Sequence, residues 1–388
     1  MRNFEFWNPT KLIFGKDQME KLAIEIPTDA KVLIVYGGGS IKSNGIYDAV
    51  KTALKNHSLS EFGGVEANPE FTTLCKALEV IKAEKITYLL AVGGGSVIDG
   101  VKFLASAAHY EGNDPWDILA KGMRTEFGEA LPFGTVLTLP ATGSEMNSGS
   151  VVSRSETNEK LPMGGPGLFP QFSICDPSVV ASIPPRFIAN GLVDAYTHVL
   201  EQYCTFPADA PLQDRISEGI LQTLIETAPK IMKSPADYTA ASNFMWCCTM
   251  ALNGLIQKGV PNDWSVHMIA HELTAHYGID HARTLAVILP SAYTLRFDQK
   301  KAKLAQYAER IFGITEGSEE EKAKAAITKT EEWFHSLGIQ TKLSEYVSEY
   351  DGFGQKVADA LVKHGMPKLG EHGDVTPDVA KKIVEMAY

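Results

Sequence analysis

Along the first half of the chain, short runs of β-branched and apolar residues alternate with segments whose apolar positions recur at helical spacing. That alternation predicts a parallel sheet covered by helices on both faces. Lys31–Tyr36, Thr87–Val92, Gly134–Leu139 and Phe172–Cys175 read as strands. Gly45–Asn56 and Thr72–Lys85 read as helices, and Ser96–Ala108 as a helix starting directly after a glycine loop. After Asp176-Pro177 the strand runs stop, and long amphipathic helical patterns occupy almost everything to Tyr388. Pro184-Pro185 suits a helix start. The expectation is an α/β domain over residues 1–181 followed by an all-helical domain over residues 182–388.

Two of the later helical patterns carry polar residues at telling positions. In Asn190–Tyr203, Leu192, Tyr196, Val199 and Tyr203 form an apolar stripe, while Asp194 and His198, four apart, project together from the opposite face. In Asp263–Tyr277 one face carries Trp264, His267, His271 and Thr274; Gly278 then ends the helix, and Asp280-His281 return on the following loop. A single histidine on a helix is more often a hydrogen-bonded or surface residue. Three imidazoles with one carboxylate, however, make a nitrogen/oxygen set for Zn²⁺, Fe²⁺, Mn²⁺ or Ni²⁺, and the absence of a thiolate selects against Cu(I) or an iron–sulfur cluster. The neighbouring His271-Glu272-Leu273-Thr274-Ala275-His276 has one residue too many for the HExxH of metalloproteases. Five helical steps turn His276 roughly 140° away from His271, so the two cannot clasp one ion.

Two predicted strands end in Gly-Gly-Gly-Ser, at Gly37–Ser40 and Gly93–Ser96. Such loops let backbone N–H groups approach a phosphate, with the next helix N-terminus adding partial positive charge. Neither loop completes a dinucleotide fingerprint or a P-loop, since Ile98 and Val101 stand where Gly and Lys are required, so each alone is equally a tight strand-to-helix turn. A third segment, Thr138-Leu-Pro-Ala-Thr142-Gly-Ser-Glu145, puts hydroxyls and glycine at the end of another strand, where ligands bind in open α/β sheets. Three such loops beside one sheet favour a dinucleotide.

Composition narrows the partner. At 388 residues the chain exceeds the usual single core, and 44% hydrophobic residues fit a globular protein. A net charge of −11 argues against nucleic acid or an anionic membrane as partner and for a small molecule. No stretch approaches ~20 apolar residues and Met1–Gly15 mixes charged and aromatic residues, so the expectation is a cytoplasmic protein without signal peptide or membrane span. Five cysteines, Cys75, Cys175, Cys204, Cys247 and Cys248, form no CxxC and suit reduced thiols.

Gly93-Gly-Gly-Ser-Val-Ile-Asp99, Thr138–Glu145 and the set Asp194, His198, His267, His281 resemble, in order and spacing, the iron-containing (group III) alcohol dehydrogenase superfamily, over essentially the whole chain. Tyr36–Ser40, Pro140–Glu145, Asn253-Gly-Leu, Val260-Pro-Asn-Asp-Trp264 and His364-Gly-Met are most similar to its bacterial NADPH-dependent aldehyde reductases and butanol dehydrogenases. The resemblance implies an N-terminal dinucleotide-binding domain, a C-terminal helical metal-binding domain, and a homodimer. It implies that NADP(H) is held by the loop Gly37–Ser40 and by Gly94, Gly95 and Ser96 at the pyrophosphate. Gly38, Ser40 and Asn68 would surround the adenosine ribose, Thr138 and Thr142 would contact the cofactor, and Lys160 matches a cofactor-contacting lysine. Asp99 would lie near the nicotinamide end, a catalytic candidate together with His271. Ala282 follows His281 where many members have glycine.

By this reading a divalent ion, zinc or iron, or alternatively nickel or manganese, polarises the carbonyl of a small aldehyde as the nicotinamide delivers hydride. His271 then either relays a proton or supports a ligand, and Trp264 either walls the substrate site or fills the core. The competing readings are a polyol dehydrogenase, a metal- and NAD-dependent lyase of the dehydroquinate synthase type, and a non-catalytic nucleotide sensor. The lyase must grip a polyanion, yet Asn190–Tyr203 and Asp263–Tyr277 carry no Lys or Arg.

Overall fold

The computed structural model describes residues Met1–Tyr388. The chain forms two compact units: Trp7–Pro184 with Ser234–Thr249, and Met1–Phe6 with Pro185–Lys233 and Met250–Tyr388.

The first unit is built on a six-stranded sheet of β1 (Lys11–Phe14), β2 (Lys31–Tyr36), β3 (Ser58–Phe62), β4 (Tyr88–Gly94), β5 (Phe133–Leu139) and, after a hairpin of β6 (Gly149–Arg154) and β7 (Glu159–Gly164), β8 (Phe172–Cys175). Its order is β1-β8-β5-β4-β2-β3 with every pair parallel. The four interior strands are those the sequence predicts. They are buried on both faces, as in Val32–Tyr36 and Tyr88–Val92, which is why they read as unbroken apolar runs. The two edges, β1 and β3, are partly exposed and carry Lys11, Ser58, Ser60 and Glu61, so no run marks them. The helices of this unit are α1 (Leu22–Glu25), α2 (Ser40–Ser43), α3 (Ile46–Ala53), α4 (Phe71–Glu84), α5 (Gly95–Ala107) and α6 (Asp117–Ala120).

The second unit is helical: α7 (Pro185–Tyr203), α8 (Pro211–Lys233), then, after α9 (Tyr238–Ala251), α10 (Ser265–Tyr277), α11 (His281–Leu295), α12 (Phe297–Phe312), α13 (Glu319–Ser336), α14 (Phe353–Lys363) and α15 (Pro377–Ala387). Pro185 opens α7 as its spacing suggests. The charge run near residue 320 opens α13 through a capping box between Ser318 and Glu321. A single break after residue 181 does not describe the division, because Ser234–Thr249, most of α9, belongs to the sheet unit. There Thr249 donates a hydrogen bond to the buried Glu145 carboxylate, and Trp246 packs edge-on against Phe14. No helix is long and apolar enough to cross a membrane, and none of the five cysteines is in a disulfide.

Candidate metal centre and dinucleotide site

Within the helical unit, α7 and α11 pack together, as do α10 and α11. Asp194 comes from α7, His267 from α10, and His281 is the first residue of α11 rather than a loop residue. One ligand atom from each of these three lies within 4.8 Å of the others. His198, one turn along α7, completes the group, with Nε2 3.7 Å from Asp194 Oδ1 and its ring stacked on that of His267 at 4.5 Å. The amphipathic picture of α7 needs correcting: every residue from Gly191 to Tyr203 is buried, so Asp194 and His198 face the interior, not a polar surface.

The donor atoms suit a cation. His267 Nε2 is buried, makes no hydrogen bond within the protein, and stands 3.9 Å from Asp194 Oδ1. Burial holds the His198 pKa down at about 4, so that imidazole is neutral and able to ligate. Burial also pushes His267 down, but the carboxylates of Glu201 and Asp194 outweigh it and raise its pKa to about 9. Two opposed carboxylates therefore favour positive charge at this point, whether a proton or a metal ion supplies it.

Glu201, which the sequence reading passed over, is fully buried one turn beyond His198. It accepts hydrogen bonds from the backbone N–H groups of Val266 (2.7 Å) and His267 (3.1 Å), and it pairs with Nδ1 of the His267 ring. With Nδ1 turned to this carboxylate, Nε2 is the ring nitrogen that faces Asp194. The backbone carbonyl of Glu201 also accepts from Asp263 N–H. Asp263 in turn pairs with buried Lys300, which reaches Glu371 and the Cys204 carbonyl as well. The sequence signal was present: Asp194, His198 and Glu201 sit at i, i+4 and i+7 on one helical face. Trp264 caps α10 in the left-handed conformation at φ 62° and sets its ring edge-on to His198 and His267.

His271 lies beside the centre, its ring 4.8 Å from that of His281 and 6.4 Å from that of His267. His276 points elsewhere, stacking on Phe353 and reaching Asp351, which agrees with rejecting an HExxH site.

In the sheet unit, β2 and β4 are neighbours, but the chain leaves β2 toward β3 on one side and β4 toward β5 on the other. The two Gly-Gly-Gly-Ser loops therefore flank a topological switch point, where open α/β sheets bind ligands. The loops differ in character. A Cβ at Gly93, Gly94 or Gly95 would collide with Val97, Leu139 or Thr142 at 2.4–2.8 Å, so this turn needs glycine for its own packing. Gly38 and Gly39 face open space, and Gly37 meets only Val65 O at 3.2 Å and the Val97 side chain. Thr138 is passed over by a register shift between β4 and β5 at Gly93/Gly94. Asn68 donates from its N–H to Ser96 Oγ (3.2 Å) and accepts from Lys160 Nζ (2.8 Å), joining three of the predicted cofactor residues. Beyond Ser40, Lys42 places its ammonium 4.9 Å from the Tyr36 ring and 5.0 Å from that of Tyr47.

Asp99 lies on α5, one turn beyond Ser96. Its carboxylate accepts from Ser144 Oγ at 2.6 Å and from Val151 N–H at 2.9 Å, which fastens it to the segment after β5.

Comparison with known proteins matches two family descriptions in sequence: "Iron-containing alcohol dehydrogenase" over residues 9–177 and "Fe-containing alcohol dehydrogenase family, C-terminal" over residues 188–383. The chain is 50% identical to the NADPH-dependent aldehyde reductase YqhD of Escherichia coli (strain K12), with 100% of each covered. It is 44% identical to the probable NADH-dependent butanol dehydrogenase 1 of Bacillus subtilis (strain 168), over 89% of this chain and 90% of that one. Among solved structures, YqhD of E. coli K-12 superposes with a TM-score of 0.97 at 49% identity, covering 100% of this chain and 99% of that one. NADH-dependent butanol dehydrogenase A of Thermotoga maritima superposes with a TM-score of 0.94 at 35% identity, again covering 100% and 99%.

Proposed function

The chain belongs to the iron-containing alcohol dehydrogenase family, and we propose that it reversibly transfers hydride between NADPH and a small aliphatic aldehyde or primary alcohol. The observation that carries this is the convergence of Asp194, His267 and His281, with His198 alongside, on one point inside the helical unit. Asp194, His198, His267 and His281 would hold one divalent ion, zinc or iron, with nickel and manganese as alternatives. When bound, that ion supplies Lewis-acid polarisation of the carbonyl oxygen and no redox chemistry. The protein's own contributions are distinct. Glu201 turns His267 Nδ1 to itself and Nε2 toward Asp194, while Trp264 packs edge-on against the stacked His198 and His267 rings. We assign the proton transfer to the product alkoxide to His271, a reading supported by its ring lying 4.8 Å from that of His281.

The relatives' names divide between NADPH and NADH, so the cofactor is argued from this chain's residues. A carboxylate at the end of the strand would accept from a ribose 2′-OH and repel a 2′-phosphate. Gly37–Ser40 carries none, and Lys42 offers a cation two residues beyond.

The lyase reading fares worse. The structure does bring Arg186 and Arg283 to Asp280, next to His281, which the composition of the two ligand helices did not reveal. Both are turned to that carboxylate, and Lys300 is committed to Asp263 and Glu371, so these cations are already spent rather than awaiting a polyanion. A cytoplasmic homodimer is part of the proposal: β1 is a sheet edge, and the aromatic side chains Phe14 and Trp246 beside it are partly exposed. The test of the function is NADPH oxidation with short aldehydes, before and after removal of metal from the purified protein.

A further inference from the structure

We propose that Lys102 is a positioning residue for the dinucleotide: its ammonium holds the turn after β5 in the conformation that seats Thr142 against the phosphate loop. This rests on reading Gly94–Ser96 and Thr142 as cofactor contacts. Lys102 lies on α5 and is 0% exposed, although lysine is almost never fully buried without partners. Its three protons go to three acceptors, Ser144 Oγ at 2.8 Å, Asn147 Oδ1 at 3.0 Å and the Gly149 carbonyl at 2.7 Å. Ser144 and Asn147 belong to the link between β5 and β6, and Gly149 is the first residue of β6. Ser144 passes the connection on, donating to Asp99, which also takes the Val151 N–H. Two residues of α5 three apart thus hold both ends of the segment 144–151, and Ser150 Oγ adds a bond to the Asp99 carbonyl.

Other contacts fix the middle and far end of the segment: Glu145 accepts from Ser173 Oγ and Thr249, the Met146 carbonyl accepts from Asn8, and Gly149–Val151 pair with β7, whereas the bonds of Lys102 and Asp99 fall on the turn itself. Gly143 is left-handed at φ 62°, and Asn147, held by Lys102, ties the turn together by donating to the Gly143 carbonyl and accepting from Gly149 N–H. Thr142 comes just before. Its Oγ1 accepts from Ser144 N–H at 3.2 Å and lies 2.4 Å from where a Cβ on Gly95 would be. The place of Thr142 beside Gly95, at the N-terminus of a 13-residue helix, is therefore set through Ser144, and the place of Ser144 through Lys102. Burial lowers the Lys102 pKa to about 8, with Asp99 and Glu145 pulling it back up, so at neutral pH the ammonium persists. Without it, the half-buried Asp99 carboxylate would lose its nearby counter-charge.

The test uses the full-length, metal-loaded protein with NADPH as the probe, titrated by fluorescence. Lys102→Met removes the ammonium. Ser144→Ala removes only the hydroxyl that joins Lys102 to Asp99, and it decides the matter if the first variant does not fold. The expected result is an NADPH Kd raised roughly tenfold or more in each folded variant, as a misplaced contact produces, with metal content unchanged. A merely structural lysine would lower Tm and leave the Kd alone, and that result overturns the proposal. A wild-type protein that fails to bind NADPH overturns the cofactor reading itself, and the inference with it.

Discussion

At the scale of single residues, the metal centre illustrates how a buried carboxylate does work at one remove. Glu201 touches no candidate open position, yet it takes three N–H groups from α10 and so decides which nitrogen of His267 faces Asp194. Partners of this kind typically change metal affinity by about 10–100-fold when removed. Glu201→Ala should therefore weaken binding of Zn²⁺, measured by chelator competition, on that order. Glu201→Gln, which keeps an acceptor for the backbone N–H groups, should lose less. Metal affinity unchanged in Glu201→Ala would show that the pairing serves folding alone. Metal content together with turnover tests His271: if it hands over the proton, His271→Ala keeps its metal and loses turnover, whereas parallel loss of both makes it a support for His281. The sequence singles out Asp194 and His198 by their helical spacing, and the structure brings Asp194 together with His267 and His281 from two other helices. Glu201 shares that period but reads as an ordinary acidic residue until its partner on another helix is seen. For Asp99 the sequence shows its place after the glycine turn but not its partners Ser144 and Val151, which come from a later part of the chain.

At the scale of elements, the two glycine loops look alike in sequence and differ in structure. The turn after β4 requires glycine for packing, while the turn after β2 leaves Gly38 and Gly39 facing open space. The second is therefore where a side chain can be added and read out. Gly39 has φ 95°, a left-handed conformation that aspartate tolerates better than most residues, and nothing lies within 4 Å of its Cβ position. Gly39→Asp should fold, lower kcat/KM for NADPH on the order of tenfold, chiefly through KM, and shift preference toward NADH. An unchanged NADPH/NADH ratio, or a wild-type enzyme that uses both cofactors equally, would refute this account of the adenosine end. Interior strands β2, β4, β5 and β8 were readable because burial on both faces writes an apolar run. The edges β1 and β3 and the hairpin β6–β7 were not, because their pairing comes from neighbours and turns rather than from composition.

At the scale of the whole molecule, the chain divides its chemistry between a parallel sheet and a helical unit, and sequence order only partly respects that division. The helical unit gathers the nitrogen and oxygen donors, and the sheet unit brings Ser96, Asn68 and Lys160 into one hydrogen-bonded group beside a switch point. Helix α9 shows why a linear boundary fails: its place is determined by Glu145 and Phe14, residues more than a hundred positions earlier. The central claim is that the donors on α7, α10 and α11 hold a divalent ion that aldehyde reduction by NADPH requires. The most direct measurement is the rate of NADPH oxidation with butanal by purified protein, stripped of metal by a chelator and then reloaded with Zn²⁺ or Fe²⁺, alongside His267→Ala. The account predicts that stripping abolishes turnover, that reloading restores it, and that folded His267→Ala neither holds metal nor turns over. Full activity in the stripped protein, or in His267→Ala, would contradict it.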